Sequence, residues 1–269
     1  MAEQSSITAG QVTATTYATI VIVSASCLAR AGLQLWKKSA ARFQMEDFFV
    51  LFSWLSFLAL AINTIVSTPT MYRVSSVIAG ERPPYTDMEQ DAEFQLRVSL
   101  ANALLVLITL WAVKFSLLCL FRRLLKRLSN SYVRWWWALV IFTIATFIGC
   151  VISLLTRCSS LDAYFTPGSC NTYRDVVAQA VSLYYTFAVD VISDIMIMIL
   201  PLKLIWTVQI PIKQKLSIGG VCCVGVVCII VAIARVAQVS SEAEKDAPTI
   251  AWLAVWDMVE AGISTLVSI

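Results

Sequence analysis

Two aspartates four residues apart, Asp190 and Asp194, lie inside an apolar run, AVDVISDIMIMILPLKLIW (188–206), that is long enough to cross a bilayer. An ionised carboxylate in hydrocarbon costs about 2.5–3.5 kcal/mol or more, so each needs a cation, a proton or water. The four-residue spacing sets both on one face of a helix. Asp257 and Glu260 repeat the arrangement three residues apart. Buried carboxylates of this kind do one of two things. They tie helices together through ion pairs, or they hold a proton for acid–base work.

The cations that could partner them are few, chiefly Arg30, Lys114 and Arg235 within the apolar runs. At about 1.5 Å per residue from the expected outer boundary, Arg235 lies roughly 6 Å deep, Asp257 about 10 Å and Glu260 about 15 Å. Asp190 falls near the midplane, with Asp194, Lys114 and Arg30 in the inner half. Two pairings follow: Arg235 with Asp257 or Glu260, and Lys114 with Asp190 or Asp194. Arg30 and Lys114 are also close enough to the inner boundary to snorkel. Asp190 is too deep for that, which makes it the stronger candidate for function, with Asp194 assigned to an inner polar network. Trp256, beside the second carboxylate pair, reads either as a packed core aromatic or as a wall against which a ligand stacks.

The elements that must position these residues are helices. Of 269 residues 59% are apolar and 14% charged, with a mean hydropathy of +0.78, outside the range of ordinary soluble domains. Seven runs of about 20 apolar residues, at 12–35, 47–71, 94–121, 135–156, 176–202, 216–239 and 250–269, use nearly the whole chain. The expectation is an all-α, seven-helix polytopic membrane protein forming a single domain, 1–269. Its first span stays in place as a signal anchor. Loops after the first, third and fifth spans carry Lys37, Lys38 and Arg42; Arg122, Arg123, Lys126, Arg127 and Arg134; and Lys203, Lys213 and Lys215. Acidic residues such as Glu89, Asp91 and Glu93 gather in the alternate loops. The positive-inside rule then places the N-terminus outside. The basic loops attract lipid headgroups, or dock a cytoplasmic partner. Pro201 is expected to end or kink the fifth span.

Six of the eight cysteines fall within spans, where the ordinary role is a small buried apolar residue. Cys158 and Cys170 are the two in a loop, and that loop faces the oxidising side, so a disulfide between them is expected. The chain has no histidine, and nothing supports a metal site.

Several segments resemble one family. MEDFFVLFSWLS, VKFSLLCLFRRL, the block from VDVISDIMIMILPLKLIWTVQIPIKQKL through GVVCIIVAIARV, and WLAVWDMVE are similar to motifs of the fungal rhodopsin-like integral membrane proteins. On that resemblance Asp47, Lys114, Asp190, Asp194, Arg235, Trp256 and Glu260 occupy motif positions. Cys158, Gly168 and Cys170 match the family's outer-loop pattern, although the proline and tryptophan usual between the two cysteines are absent. The family name does not imply light sensing. A retinal protein needs a Schiff-base lysine in its last span, and 250–269 has none, so no cofactor is expected.

Three functions compete. The resemblance implies a receptor-like or accessory protein, and some relatives are encoded in secondary-metabolite gene clusters. That setting also admits an intramembrane cyclase, in which Asp190, Asp257 or Glu260 acts on a lipophilic terpenoid or polyketide as general acid. Proton-coupled transport is the third, without the inverted repeats that would support it. A lipophilic small molecule is the expected partner besides membrane lipid, and nothing points to nucleic acid.

Overall fold

The computed structural model describes residues 8–36, 45–78, 80, 82–125, 130–170, 172–207 and 250–268, together with 226, 227, 229, 230 and 233. Among them it is helical throughout. The helices are α1 (Ala9–Trp36), α2 (Met45–Ile78), α3 (Met88–Leu125), α4 (Asn130–Leu155), the short α5 (Leu161–Phe165), α6 (Tyr173–Thr207) and α7 (Ile250–Ser268). Five of them, α1 to α4 and α6, are long and apolar enough to span a membrane. The chain is a multi-pass integral membrane protein. The expected span at 216–239 falls almost entirely outside the described residues.

The helices α1 to α4 and α6 are longer than the apolar runs that announced them. α3 begins at Met88 rather than near 94, because Glu89, Asp91 and Glu93 continue the backbone ladder where hydropathy has already fallen. α6 does not end at Pro201 but runs on to Thr207.

α3 is the hub of the bundle, packed against α2, α4, α6 and α7, while α1 lies on α2 and α7, and α4 on α6. The central core joins Val23, Phe57, Leu60, Leu107, Trp111 and Met258, drawn from five helices by way of α1, α2, α3 and α7 together with Cys150 of α4. Lipid gives helices no hydrophobic reason to associate, so packing and polar contacts carry the association. The outward residues are accordingly apolar: Phe52, Leu55, Ile62 and Val66 of α2 are all exposed. Many inward hydroxyls are satisfied within their own helices, as where Thr64 donates to the Leu60 carbonyl at 2.9 Å. Trp136 of the tryptophan run points inward and donates to the Leu118 carbonyl at 2.8 Å, while Trp135 and Trp137 remain half-exposed.

The backbone of α4 and a side chain of α6 approach closely at Gly149. A Cβ added at Gly149 would meet the Tyr185 hydroxyl at 2.5 Å, so any side chain there must push the ring away. Gly149→Ala is expected to lower stability by about 1–2 kcal/mol through overpacking. Tyr185→Phe should restore much of that loss, as read by thermal unfolding of the detergent-purified protein.

At the end of the bundle where α4 stops, Cys158 and Cys170 form a disulfide with a Cα–Cα distance of 5.6 Å. It closes the loop containing α5, which packs on α3 with Arg97 over the Phe165 ring at 5.8 Å. At the opposite end, Arg30 pairs with Asp47 at 3.3 Å and donates to the Ser268 carbonyl at 2.8 Å. Rather than reaching out to water alone, Arg30 links α1, α2 and the last turn of α7.

Candidate functional site

The i, i+4 spacing on α6 delivers Asp190 and Asp194 to α3, where Lys114 answers both. Its Nζ lies 2.8 Å from Asp190 Oδ1 and 3.0 Å from Asp194 Oδ1. The same ammonium donates to the Asp190 carbonyl oxygen at 2.9 Å and to Ser193 Oγ. Ser193 in turn donates to the Asp190 carbonyl at 2.8 Å. Three N–H donors thus meet four oxygens, and the cation has no hydrogen left for another partner. Lys114 also sits 4.9 Å from the centroid of the Trp111 ring, whose indole N–H donates to the Thr143 carbonyl at 3.1 Å.

The expectation that Lys114 snorkels is corrected. The residue is 4% exposed, because two carboxylates on the facing helix offer it more than the distant interface does. Both aspartates share the ammonium, so assigning one to the polar network and leaving the other apart does not describe the geometry.

Above the triad lies a cavity of about 300 Å³. Its wall runs from Gln95 and Arg157, near the disulfide end, down to Asp190 of α6 and to Asp257 and Glu260 of α7. Leu107 and Leu110 of α3, Phe187 of α6 and Leu253 of α7 supply apolar surface between them. Asp190 and Glu260 are both buried, and Asp257 shares the α7 face with Glu260, as the three-residue spacing requires. The two carboxylate pairs therefore converge: Asp190, Asp257 and Glu260 border one space, with Asp194 behind it on Lys114.

Trp256 of α7 is partly buried and is not among the residues that border the cavity. Arg235 lies outside the described residues. Cys158 and Cys170 stand at the far end, where their disulfide braces the loop beside the cavity's upper wall.

Several contributors escaped the sequence reading. Asn63 donates to Asn102 Oδ1 at 2.7 Å between α2 and α3, and Asn102 borders the cavity. Arg157, just past the end of α4, donates from Nε to Ser182 of α6 at 3.0 Å and borders the cavity. Gln95 Oε1 is buried against that space and accepts no hydrogen bond among the described residues. Small polar residues recur throughout apolar helices, so no spacing signal distinguishes these from the hydroxyls that only bond back to their own backbone.

Residues 29–268 match the profile described as the fungal rhodopsin domain. Comparison with curated proteins and with solved structures gave no match.

Proposed function

Because the chain belongs to the fungal rhodopsin family, with a match that spans most of its length, we propose that it is a receptor-like or accessory protein binding a lipophilic small molecule. The setting we assign to it is a secondary-metabolite pathway. The observation that carries this reading is the cavity of about 300 Å³. Small-molecule sites have volumes of about 300–1,000 Å³, mostly apolar walls and a few convergent polar groups. Here Leu107, Leu110, Phe187 and Leu253 supply the apolar wall, and Asp190, Asp257 and Glu260 the polar end.

The same convergence of carboxylates favours a second reading, an intramembrane cyclase. The pairing of Asp190 with Lys114 at 2.8 Å supports placing the general acid on α7 instead. Glu260 and Asp257 remain its candidates.

Filling the cavity separates the two from a purely structural protein. Ala103 borders the space, and Ala103→Trp should abolish the cellular response that is lost on deleting the gene, at unchanged membrane abundance. Normal function of that variant would sink the binding reading. Deletion that makes an uncyclised precursor accumulate, rescued by wild type but not by Glu260→Gln, would transfer the assignment to the cyclase.

A further inference from the structure

We infer that the ligand of this cavity is a lipophilic amine, bound as its ammonium; the inference rests on the reading that the cavity holds a small molecule. Charge balance is the first reason. Asp190, Asp257 and Glu260 border the space and Asp194 stands behind them on Lys114, whereas the cations described around it are Lys114 and Arg157. Of the further cations that the sequence places within a span in the outer half, Arg97 is already held by Glu93, which leaves Arg235. Counting it as well still leaves the carboxylates in excess, wherever it sits. Excess negative charge in a medium of low dielectric draws a cation strongly.

Hydrogen-bond polarity is the second reason. The hydroxyls of Thr64, Ser67 and Thr68 border the cavity and give their hydrogens to backbone carbonyls of α2, at 2.9, 3.2 and 2.7 Å. Their oxygens therefore remain as acceptors. Gln95 Oε1 adds a buried acceptor with no donor among the described residues. The acceptors gathered on this part of the wall suit a ligand that brings N–H donors.

Size and lining argue against a bare inorganic ion. A cavity of about 300 Å³ with leucine and phenylalanine walls is far larger than a single cation and its few ligands need. An ammonium on a compact hydrocarbon body satisfies both halves.

Three probes with one carbon cage test this: aminoadamantane, adamantanol and adamantanecarboxylate, titrated against the full chain in detergent at neutral pH and read by thermal unfolding. The amine is expected to bind on the order of tenfold more tightly than the alcohol, as close charge pairing in a desolvated site allows. The carboxylate should not bind. Ala103→Trp should remove the shift, and Glu260→Gln should shrink the amine's advantage over the alcohol. If Glu260→Gln fails to yield a monodisperse protein, Asp257→Asn serves instead. Equal binding of alcohol and amine overturns the inference but leaves a ligand site standing. Sodium chloride reproducing the amine's shift at the same concentration also overturns it, in favour of an inorganic cation. No binding by any probe overturns both the inference and the reading beneath it.

Discussion

Replacing Lys114 by methionine is expected to be the most damaging single substitution in the described chain, costing about 3–5 kcal/mol. The ammonium is the partner of two carboxylates, at 2.8 and 3.0 Å, and all three groups are largely withdrawn from solvent. Methionine fills similar space but leaves Asp190 and Asp194 four residues apart on one face of α6 with no described cation between them. The buried charge left behind dominates the loss, rather than the energy of the contacts removed. The expected readout is little monodisperse protein on extraction, and a lowered unfolding temperature for whatever remains.

The companion variants give the prediction its sign pattern. Asp190→Asn and Asp194→Asn should each cost less than Lys114→Met, because the ammonium keeps one carboxylate and the Ser193 hydroxyl. The triple variant Lys114→Met, Asp190→Asn, Asp194→Asn should recover most of the stability lost in Lys114→Met, since a neutral polar core carries no unpaired charge. Failure of that recovery would mean that the triad's geometry, rather than its charge balance, holds α3 to α6.

What could be read in advance followed from how each feature is encoded. The spans were legible because a bilayer demands about 20 apolar residues in succession, a signal that needs no tertiary knowledge. Lys114 and the two aspartates were legible as a candidate set for the same reason: a charge in an apolar run is conspicuous, and helical spacing fixes its face. Their three-way sharing was not, because depth counted from loop boundaries cannot resolve a lysine stem several ångströms long. The Arg30 and Asp47 pair crosses a loop and was hidden by the same limitation. Gln95, Asn102 and Thr64 gave no signal, since polar residues that border a cavity look in sequence like polar residues that bond their own helix. The carboxylates announced a site, while its shape depended on neutral side chains that pattern alone does not mark.

Removing the disulfide with Cys158→Ser and Cys170→Ser together is expected to lower stability by about 3 kcal/mol, the loop-closure value for a short cross-linked loop. The two cysteines are separated by 12 positions and tie the end of α4 to the segment leading into α6. A shift of roughly 6–12 °C in the unfolding midpoint would follow if the whole loop gains freedom on unfolding. The membrane works against that full value. If α4 and α6 stay inserted when the bundle loosens, the ends of the loop remain near each other without the bond, and the entropy it suppresses is smaller. Ser159, which donates to Asp175 at 2.9 Å, and Arg97, stacked over Phe165, hold the same loop by independent contacts. Two measurements separate these contributions. The unfolding midpoint reports how much freedom the unfolded chain gains, whereas limited proteolysis between Cys158 and Cys170 reports local opening of the native loop. A lowered midpoint with unchanged proteolysis assigns the bond's effect to the unfolded state. Faster cleavage together with weaker binding of the cavity probes would assign it to the native one, with the disulfide holding α5 against α3, whose Gln95 and Leu96 border the cavity. A double variant indistinguishable from wild type in both would refute any stabilising role for the bond.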